Sequence, residues 1–306
     1  MIFHKLFFLF QESCKVSLYH TPELRGFLKS ILPGKFSEIV GVQHTKVCVF
    51  DNDVCISGAN LSNDYFTDRQ DRYILIKDSP GLADYFEDLV DNISSFSFDL
   101  NQSNDKAAKQ FSFTSNDPNN EAHPYQGNYD NFVRNVYKKV TAFLSKQKAN
   151  NNLTYDDTKD KFVTLSSDSD TSLNNGQDTW VFPSVQMGIF GINQDELLTS
   201  KFLENSGQDK GAKIVFGTGY FNLTDDYMNS IINKSQASFD ILCAHPKANS
   251  FFNAPFPLYG VPFAYTYIAK HFMSQCAQAG ASNRICMFEY QKPSWTFHGK
   301  GKLKRT

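Results

Sequence analysis

The chain has 306 residues, with 30 Lys and Arg against 32 Asp and Glu and a formal charge of −2. That balance argues against nucleic-acid binding, which shows as a basic excess, while leaving room for a local phosphate site. The mean hydropathy is negative and no apolar run approaches about 18 residues, so no transmembrane helix is expected.

The length suffices for one large or two modest domains with a sizeable core, and 29 Phe and 14 Tyr make that core aromatic-rich. Six cysteines, Cys14, Cys48, Cys55, Cys243, Cys276 and Cys286, include no CxxC pair. Zinc and redox motifs are therefore disfavoured and reduced thiols are expected, with Cys48 and Cys55 candidates to face each other across a hairpin.

The opening "MIFHKLFFLF" is apolar but short. It lacks the small-residue cleavage site of a signal peptide and the Arg- and Ser-rich character of a transit peptide, and reads as the start of a buried element or of an incomplete chain. "KVSLYH" is predicted as a strand and "TPELRGFLKSIL" as a helix, with Thr21 as N-cap, Pro22 at the first helical position and Glu23 in the first turn. Residues 44–60 read as a hairpin. Ser79 and Pro80 then open a second helix, in which Leu82, Tyr85, Phe86 and Leu89 recur at helical spacing.

The tracts 101–128 and 146–179 are rich in Asn, Asp and Ser and read as surface insertions or disorder. Between them "NFVRNVYKKVTAFL" is predicted as a helix, with Phe132, Val136, Val140 and Phe143 on one stripe. The rest resumes an alternation. "WVFPSVQMG" reads as a strand, "DELLTSKFLENS" as a helix, "AKIVFGTGYFNLT" as a strand and Gly-rich turn, and "DDYMNSIINKS" as a helix. "SFDILCA" follows as a strand, "PFAYTYIAKHFMSQCAQAG" as a long helix closed by Gly280, and "RICMFEYQ" with "WTFHGK" as a strand pair. Helices alternating with apolar strands imply a layered α/β fold.

The polar residues of the hairpin need an explanation. Pairing "HTKVCVF" with "VCISGAN" across an Asn52-Asp53 turn sets Asp51 opposite Val54, Lys46 opposite Ala59 and Thr45 opposite Asn60. The period of two puts His44 and Lys46 on one face, with Asn60 beside them and Gly58 and Ala59 leaving room for a ligand. Imidazole, ammonium and carboxamide together suit a phosphoryl group held while its phosphorus is attacked. Such an imidazole needs an acceptor on its second nitrogen, for which Asp71 is the candidate, while Asp51 at the turn end holds the hairpin. A satisfied core histidine is the competing reading of His44. His20 lacks a charged companion at strand spacing and reads as a strand-end cap, His245 reads as a structural loop histidine, and His271 lies on the long helix near Lys270 as a surface or core residue. Arg69 and Arg72 flank Asp71 as phosphate ligands or surface pairs, and Tyr220 follows a Gly-rich turn that fails the dinucleotide fingerprint.

"HTKVCVFD…SGANLS" resembles the HxKx4D…GSxN signature of the phospholipase D superfamily. The blocks "VSLYHTPELRG", "GANLSNDYFTDRQDRY", "GYFNLT" and "HPKANSFFNAP…PFAYTYIAKHF" are similar to the mitochondrial CDP-diacylglycerol–glycerol-3-phosphate 3-phosphatidyltransferases. The resemblance implies a phospholipase D-like layered sheet with helices on both faces and two pseudo-repeated halves. The first spans 1–100; the tract 101–179 holds polar insertions around a helix at about 129–145; the second half spans 180–306.

It also implies phosphatidyl transfer from CDP-diacylglycerol to glycerol 3-phosphate through a phosphatidyl-histidine, with neither metal nor organic cofactor. His44, Lys46 and Asp51 match the first motif and His298 and Lys300 the second. Asn60 and Asp71 match the phosphate-binding and His-orienting residues, and attack is assigned to His44. A membrane surface is an expected partner, homo-oligomerisation is left open, and the location implied is mitochondrial. A water-using phosphodiesterase and an inert fragment are the alternatives. "SGAN" stands for GSxN one residue early, and the second motif stops at "KLKRT", so the chain reads as truncated at both ends, with unpaired sheet edges and a basic tail outside the family pattern.

Overall fold

The computed structural model describes residues 14–31, 40–102, 111–115, 123–150, 153–156, 161–164, 181–205, 211–256 and 258–305. The opening decapeptide and the 165–180 part of the polar tract lie outside them. In chain order the strands and helices are β1 (Ser17–Leu18), α1 (Gly26–Ile31), β2 (Val47–Phe50), β3 (Asp53–Ser57), β4 (Arg69–Gln70), β5 (Tyr73–Ile76), α2 (Pro80–Ser94), β6 (Phe98–Gln102), β7 (Phe111–Ser115) and α3 (Tyr129–Asn150). There follow β8 (Leu153–Asp156), β9 (Lys161–Thr164), β10 (Gln186–Met187), β11 (Ile192–Asn193), α4 (Gln194–Asn205), β12 (Lys213–Thr218), α5 (Asp225–Asn229), β13 (Ser238–Ala244), α6 (Val261–Gln278), β14 (Ile285–Tyr290), β15 (Thr296–Phe297) and β16 (Gly301–Arg305). The fold is mixed α/β. Its two compact units, 1–44 with 80–193 and 45–79 with 194–306, are discontinuous and cut across the blocks 1–100, 101–179 and 180–306 expected from the sequence.

In the first unit the helical stripes bury as expected. Leu82, Tyr85, Phe86 and Leu89 of α2 and Phe132, Val136, Val140 and Phe143 of α3 are all buried, with the Tyr85 and Phe143 rings 5.3 Å apart. β1, β6 and β7 form an antiparallel sheet, so part of the 101–128 tract is ordered: "FSFTS" alternates well enough to pair, Leu100 opposite Phe113. β8 and β9 pair likewise within the second polar tract. The first helix begins later than Thr21. Leu24 N donates to Thr21 O in a tight turn, and Gly26, at φ +53°, is the first residue of α1. The expected "WVFPSVQMG" strand shrinks to β10, because Pro183 has no N–H to give a ladder.

In the second unit β14-β13-β12-β16 form a sheet in which β12, β13 and β14 run parallel and β16 runs antiparallel along β12. Ile214, Phe216, Phe239, Ile241 and Ile285 point to one side and close a core with Leu203 of α4, Met228 of α5 and Phe272 and Cys276 of α6. The opposite side carries Phe288 and Leu303, each about half exposed.

Two expectations are corrected here. "RICMFEYQ" and "WTFHGK" do not pair with each other: β14 lies beside β13, and β15 runs parallel beside β4. The basic tail, expected as a loose end, forms the edge strand β16. Lys302 turns its stem to the helix side, where Nζ donates to Thr199 Oγ1 (2.8 Å) and lies over the Phe216 and Tyr227 rings, so the aliphatic part packs while the cation keeps partners.

The antiparallel sheet β2-β3-β5 holds the predicted hairpin in a shifted register, Phe50 opposite Asp53 and Cys48 opposite Cys55. The turn is therefore Asp51-Asn52, with Asp51 at φ +51°, a conformation that Asp tolerates better than most residues. Asp53 and Asn52 fix it: Asp53 Oδ1 accepts from Asp78 N and Asn52 O from Ser79 N, each at 2.8 Å. The slip is two residues, so every side chain keeps its face. Both cysteines of the pair are free.

Candidate active site

The second unit assembles a polar cluster around His298. β15 pairs with β4 so that Thr296 meets Arg69 and Phe297 meets Gln70, and His298 N donates to Gln70 O (2.8 Å). The next step of that register sets His298 beside Asp71. His298 Nδ1 donates to Asp71 Oδ2 at 2.8 Å, and the two side chains are 9% and 1% exposed. The other carboxylate oxygen accepts from Arg72 N (2.8 Å), so Asp71 is clamped on both sides.

Two glycines make the approach sterically feasible. A Cβ on Gly58 would stand 2.9 and 3.1 Å from the Asp71 carboxylate oxygens, and one on Gly219 would stand 2.9 Å from His298 Cα. The room expected at Gly58 for a ligand is therefore filled by Asp71.

With Nδ1 carrying its proton towards Asp71, the lone pair is on Nε2. Tyr65 Oη lies 3.5 Å from Nε2 and accepts from Asn60 Nδ2 at 3.4 Å. Lys300 Nζ donates to His298 O (2.7 Å) and lies 2.8 and 3.1 Å from the two ring nitrogens. Burial lowers the His298 pKa below the usual imidazole value, ahead of the upward pull of Asp71 and the downward push of Lys300. Burial also brings Lys300 down to about 8, despite the opposing field of Asp71. Lys46 is lowered by burial too and feels the Asp71 carboxylate. Burial thus favours the neutral imidazole, beside cations that an oxyanion would need.

Aromatic walls complete the site. Tyr65 meets the His298 ring edge-on at 5.3 Å, Tyr220 does so at 5.7 Å, and Tyr220 stacks on Tyr265 at 5.3 Å. Arg69 lies over the Tyr65 ring and pairs with Asp64 at 2.8 Å. An adjoining open cleft of about 300 Å³ is lined by Asp71, Arg72, Phe297, Lys300 and Leu303. Among the described residues no group of three or more His, Cys, Asp or Glu side chains is arranged to hold a metal ion.

Of the residues singled out from sequence, the structure brings together Asp71, His298, Lys300 and Lys46, with Asn60 joined through Tyr65. Asp71, expected to orient an imidazole, holds that of His298. Asp51 occupies the hairpin turn, about 16 Å along the strand from Lys46. His44 is exposed, in irregular chain ahead of β2, and ends the first unit. Tyr65 and Tyr265 were missed. The signal for Tyr65 is the lone aromatic pair in the polar loop "NDYF"; Tyr220 follows a Gly-rich turn that gives no sign of its contact with His298. His245 is structural, its Nδ1 accepting from Lys247 N (3.1 Å).

No family model matches the chain. Over 299 residues, 95% of the chain, it is 40% identical to the mitochondrial CDP-diacylglycerol–glycerol-3-phosphate 3-phosphatidyltransferase of Gallus gallus, covering 52% of that protein. Over 295 residues, again 95% of the chain, it is 36% identical to that of Homo sapiens, covering 51% of it. The chain thus spans about half the length of the curated relatives it matches. Its fold is similar to the crystal structure of phosphatidylserine synthase from Haemophilus influenzae Rd KW20, at a TM-score of 0.51 and 21% identity over 87% of this chain and 52% of that one.

Proposed function

We propose that the chain carries phosphatidyl transfer from CDP-diacylglycerol to glycerol 3-phosphate, giving phosphatidylglycerophosphate and CMP, on a phospholipase D-like framework of two related halves. The observation that carries the reading is the His298–Asp71 pair with Lys300 and Tyr65 at the imidazole; the names of relatives at 36–40% identity supply the substrates. The Nε2 lone pair attacks the phosphorus that bears the diacylglycerol. The bond to CMP breaks, and CMP leaves with the electron pair. Lys300, Lys46 and the Tyr65 hydroxyl hold the non-bridging oxygens as charge develops. A glycerol 3-phosphate hydroxyl then attacks the phosphatidyl-histidine and gives its proton to solvent, the P–N bond breaks, and its electron pair returns to Nε2 to restore the imidazole.

The neutral, oriented state of His298 fits it for attack, which reverses the order expected from the sequence. The product would serve phosphatidylglycerol and cardiolipin synthesis, and the names of the relatives support a mitochondrial setting. Rapid-mix CMP release tests the reading. His44→Ala should keep a burst near one CMP per site and His298→Ala should abolish it. A burst that survives in His298→Ala removes the nucleophile assignment. Phosphatidic acid as the only lipid product, with glycerol 3-phosphate in excess, makes the protein a water-using phosphodiesterase.

A further inference from the structure

α6 is apolar on two opposite sides. Its inner side sets Phe272 and Cys276, both fully buried, into the core of the second unit. At about 100° per residue, Tyr259, Phe263 and Tyr267 fall within about 80° of one another on the opposite side. Tyr259 belongs to the 3-10 turn Leu258–Gly260 that runs into the helix. The three are 49%, 57% and 73% exposed, and Phe256, 83% exposed, lies 6.2 Å from Tyr259 ring to ring. Single exposed apolar residues are ordinary, but a contiguous aromatic ridge marks an interaction surface.

Charge identifies the partner. The 48 residues between Asp240 and Glu289 contain no Asp or Glu, where the chain's 32 acids in 306 residues would average about five, and they carry Lys247 and Lys270, with Arg284 turned inward to the carbonyls of Ala237, Ile231 and Ile232. Lys270 is exposed on the ridge side of α6. Tyr and Phe beside Lys, with acids excluded, is the composition of elements that rest in the headgroup layer of anionic bilayers. The ridge also stands back to back with the site: Tyr265, on the inner side of the same helix, stacks on Tyr220, which leans on His298.

We propose that Phe256, Tyr259, Phe263 and Tyr267, with Lys270, dock the protein on an anionic lipid bilayer that presents a two-tailed phosphodiester, with α6 and the Tyr265–Tyr220 stack between that surface and His298. The proposal rests on the lipid-substrate reading above. The test is flotation of the full chain with phosphatidylcholine vesicles containing about one third phosphatidylglycerol. Wild type should float, with less binding to pure phosphatidylcholine, and Phe263→Ser/Tyr267→Ser should bind at least about tenfold more weakly. A conservative Tyr267→Trp should show a blue-shifted emission quenched by brominated acyl chains. Undiminished flotation of the double variant overturns the proposal. So does an indole emission from the Tyr267→Trp variant that is indifferent to brominated lipid, or a ridge substitution that halves the mass in solution while leaving flotation intact, which would assign the ridge to a second copy. Transfer from CDP-diacylglycerol in detergent micelles separates the two readings: activity without flotation sinks only the docking, and flotation without activity sinks only the reaction.

Discussion

Replacing Asp71 by Asn keeps shape and volume and removes one acceptor. The native carboxylate takes Nδ1–H of His298 on one oxygen and N–H of Arg72 on the other, each at 2.8 Å, with the side chain 1% exposed. An amide cannot do both. If its oxygen faces Nδ1–H, its NH2 confronts the Arg72 N–H; if its NH2 faces the imidazole, the ring must move its proton to Nε2 and lose the lone pair that attacks. A hydrogen bond to a charged group is worth about 1.5–3 kcal/mol, which alone corresponds to about 10- to 200-fold. The wrong tautomer adds to this: the same substitution in the Ser-His-Asp triad costs about 10⁴ in kcat. A fall in kcat of about 10² to 10⁴ with KM within about threefold is therefore expected. Stopped-flow CMP release gives the rate, and long-range ¹H–¹⁵N NMR of His298 gives the tautomer. Because Asp71 pulls the His298 pKa upward, its acidic limb should also move to lower pH in the variant. A kcat within about threefold of wild type, with the proton still on Nδ1, would refute the orienting role.

Three further outcomes follow from the same geometry. Lys300, at about 8, should lose its charge and its hold on phosphate as pH rises through that value; a pH profile of Lys300→Arg, whose cation persists, should lack this alkaline limb, and an unchanged limb would assign it elsewhere. Gly58→Ala places a methyl 2.9 Å from a carboxylate clamped at both oxygens, so kcat should drop about 10- to 100-fold with the circular dichroism spectrum intact; activity near wild type would mean that Asp71 yields freely. Gly219→Ala meets backbone, His298 Cα at 2.9 Å and Phe297 O at 3.0 Å, and should lose about 1–3 kcal/mol in a denaturant melt, against no change if the strands part easily.

What the sequence made legible was local. The stripes of α2 and α3 repeat within a few residues, and each apolar position reports a face, so Leu82 to Leu89 and Phe132 to Phe143 were readable as buried. The alternation of the hairpin strands stays legible despite a wrong turn, because a two-residue slip preserves which side each residue of Val47–Phe50 and Asp53–Ser57 occupies. The misses are of another kind. β16 hides behind its charges: Lys302 packs by its stem and ends on Thr199 and two rings, a use of lysine that a count of cations cannot distinguish from a solvated tail.

Asp71 is legible by type but its bond to His298 is not, since that partner is 227 residues away and reaches it only because β15 runs parallel to β4. Parallel pairing of two-residue strands leaves almost no sequence trace. Its trace lies instead in what had to be small. Gly58 and Gly219 stand where any side chain would strike Asp71 or the His298 backbone, so the long-range pairing is recorded in two glycines rather than in the spacing of the charged residues. If that is right, the two alanine variants should fail differently: the Gly58 change should lower turnover and leave the melting midpoint nearly unmoved, and the Gly219 change should lower the midpoint first. Equal behaviour would mean that the glycines are tolerated gaps and that the pair is held by the β4–β15 ladder alone.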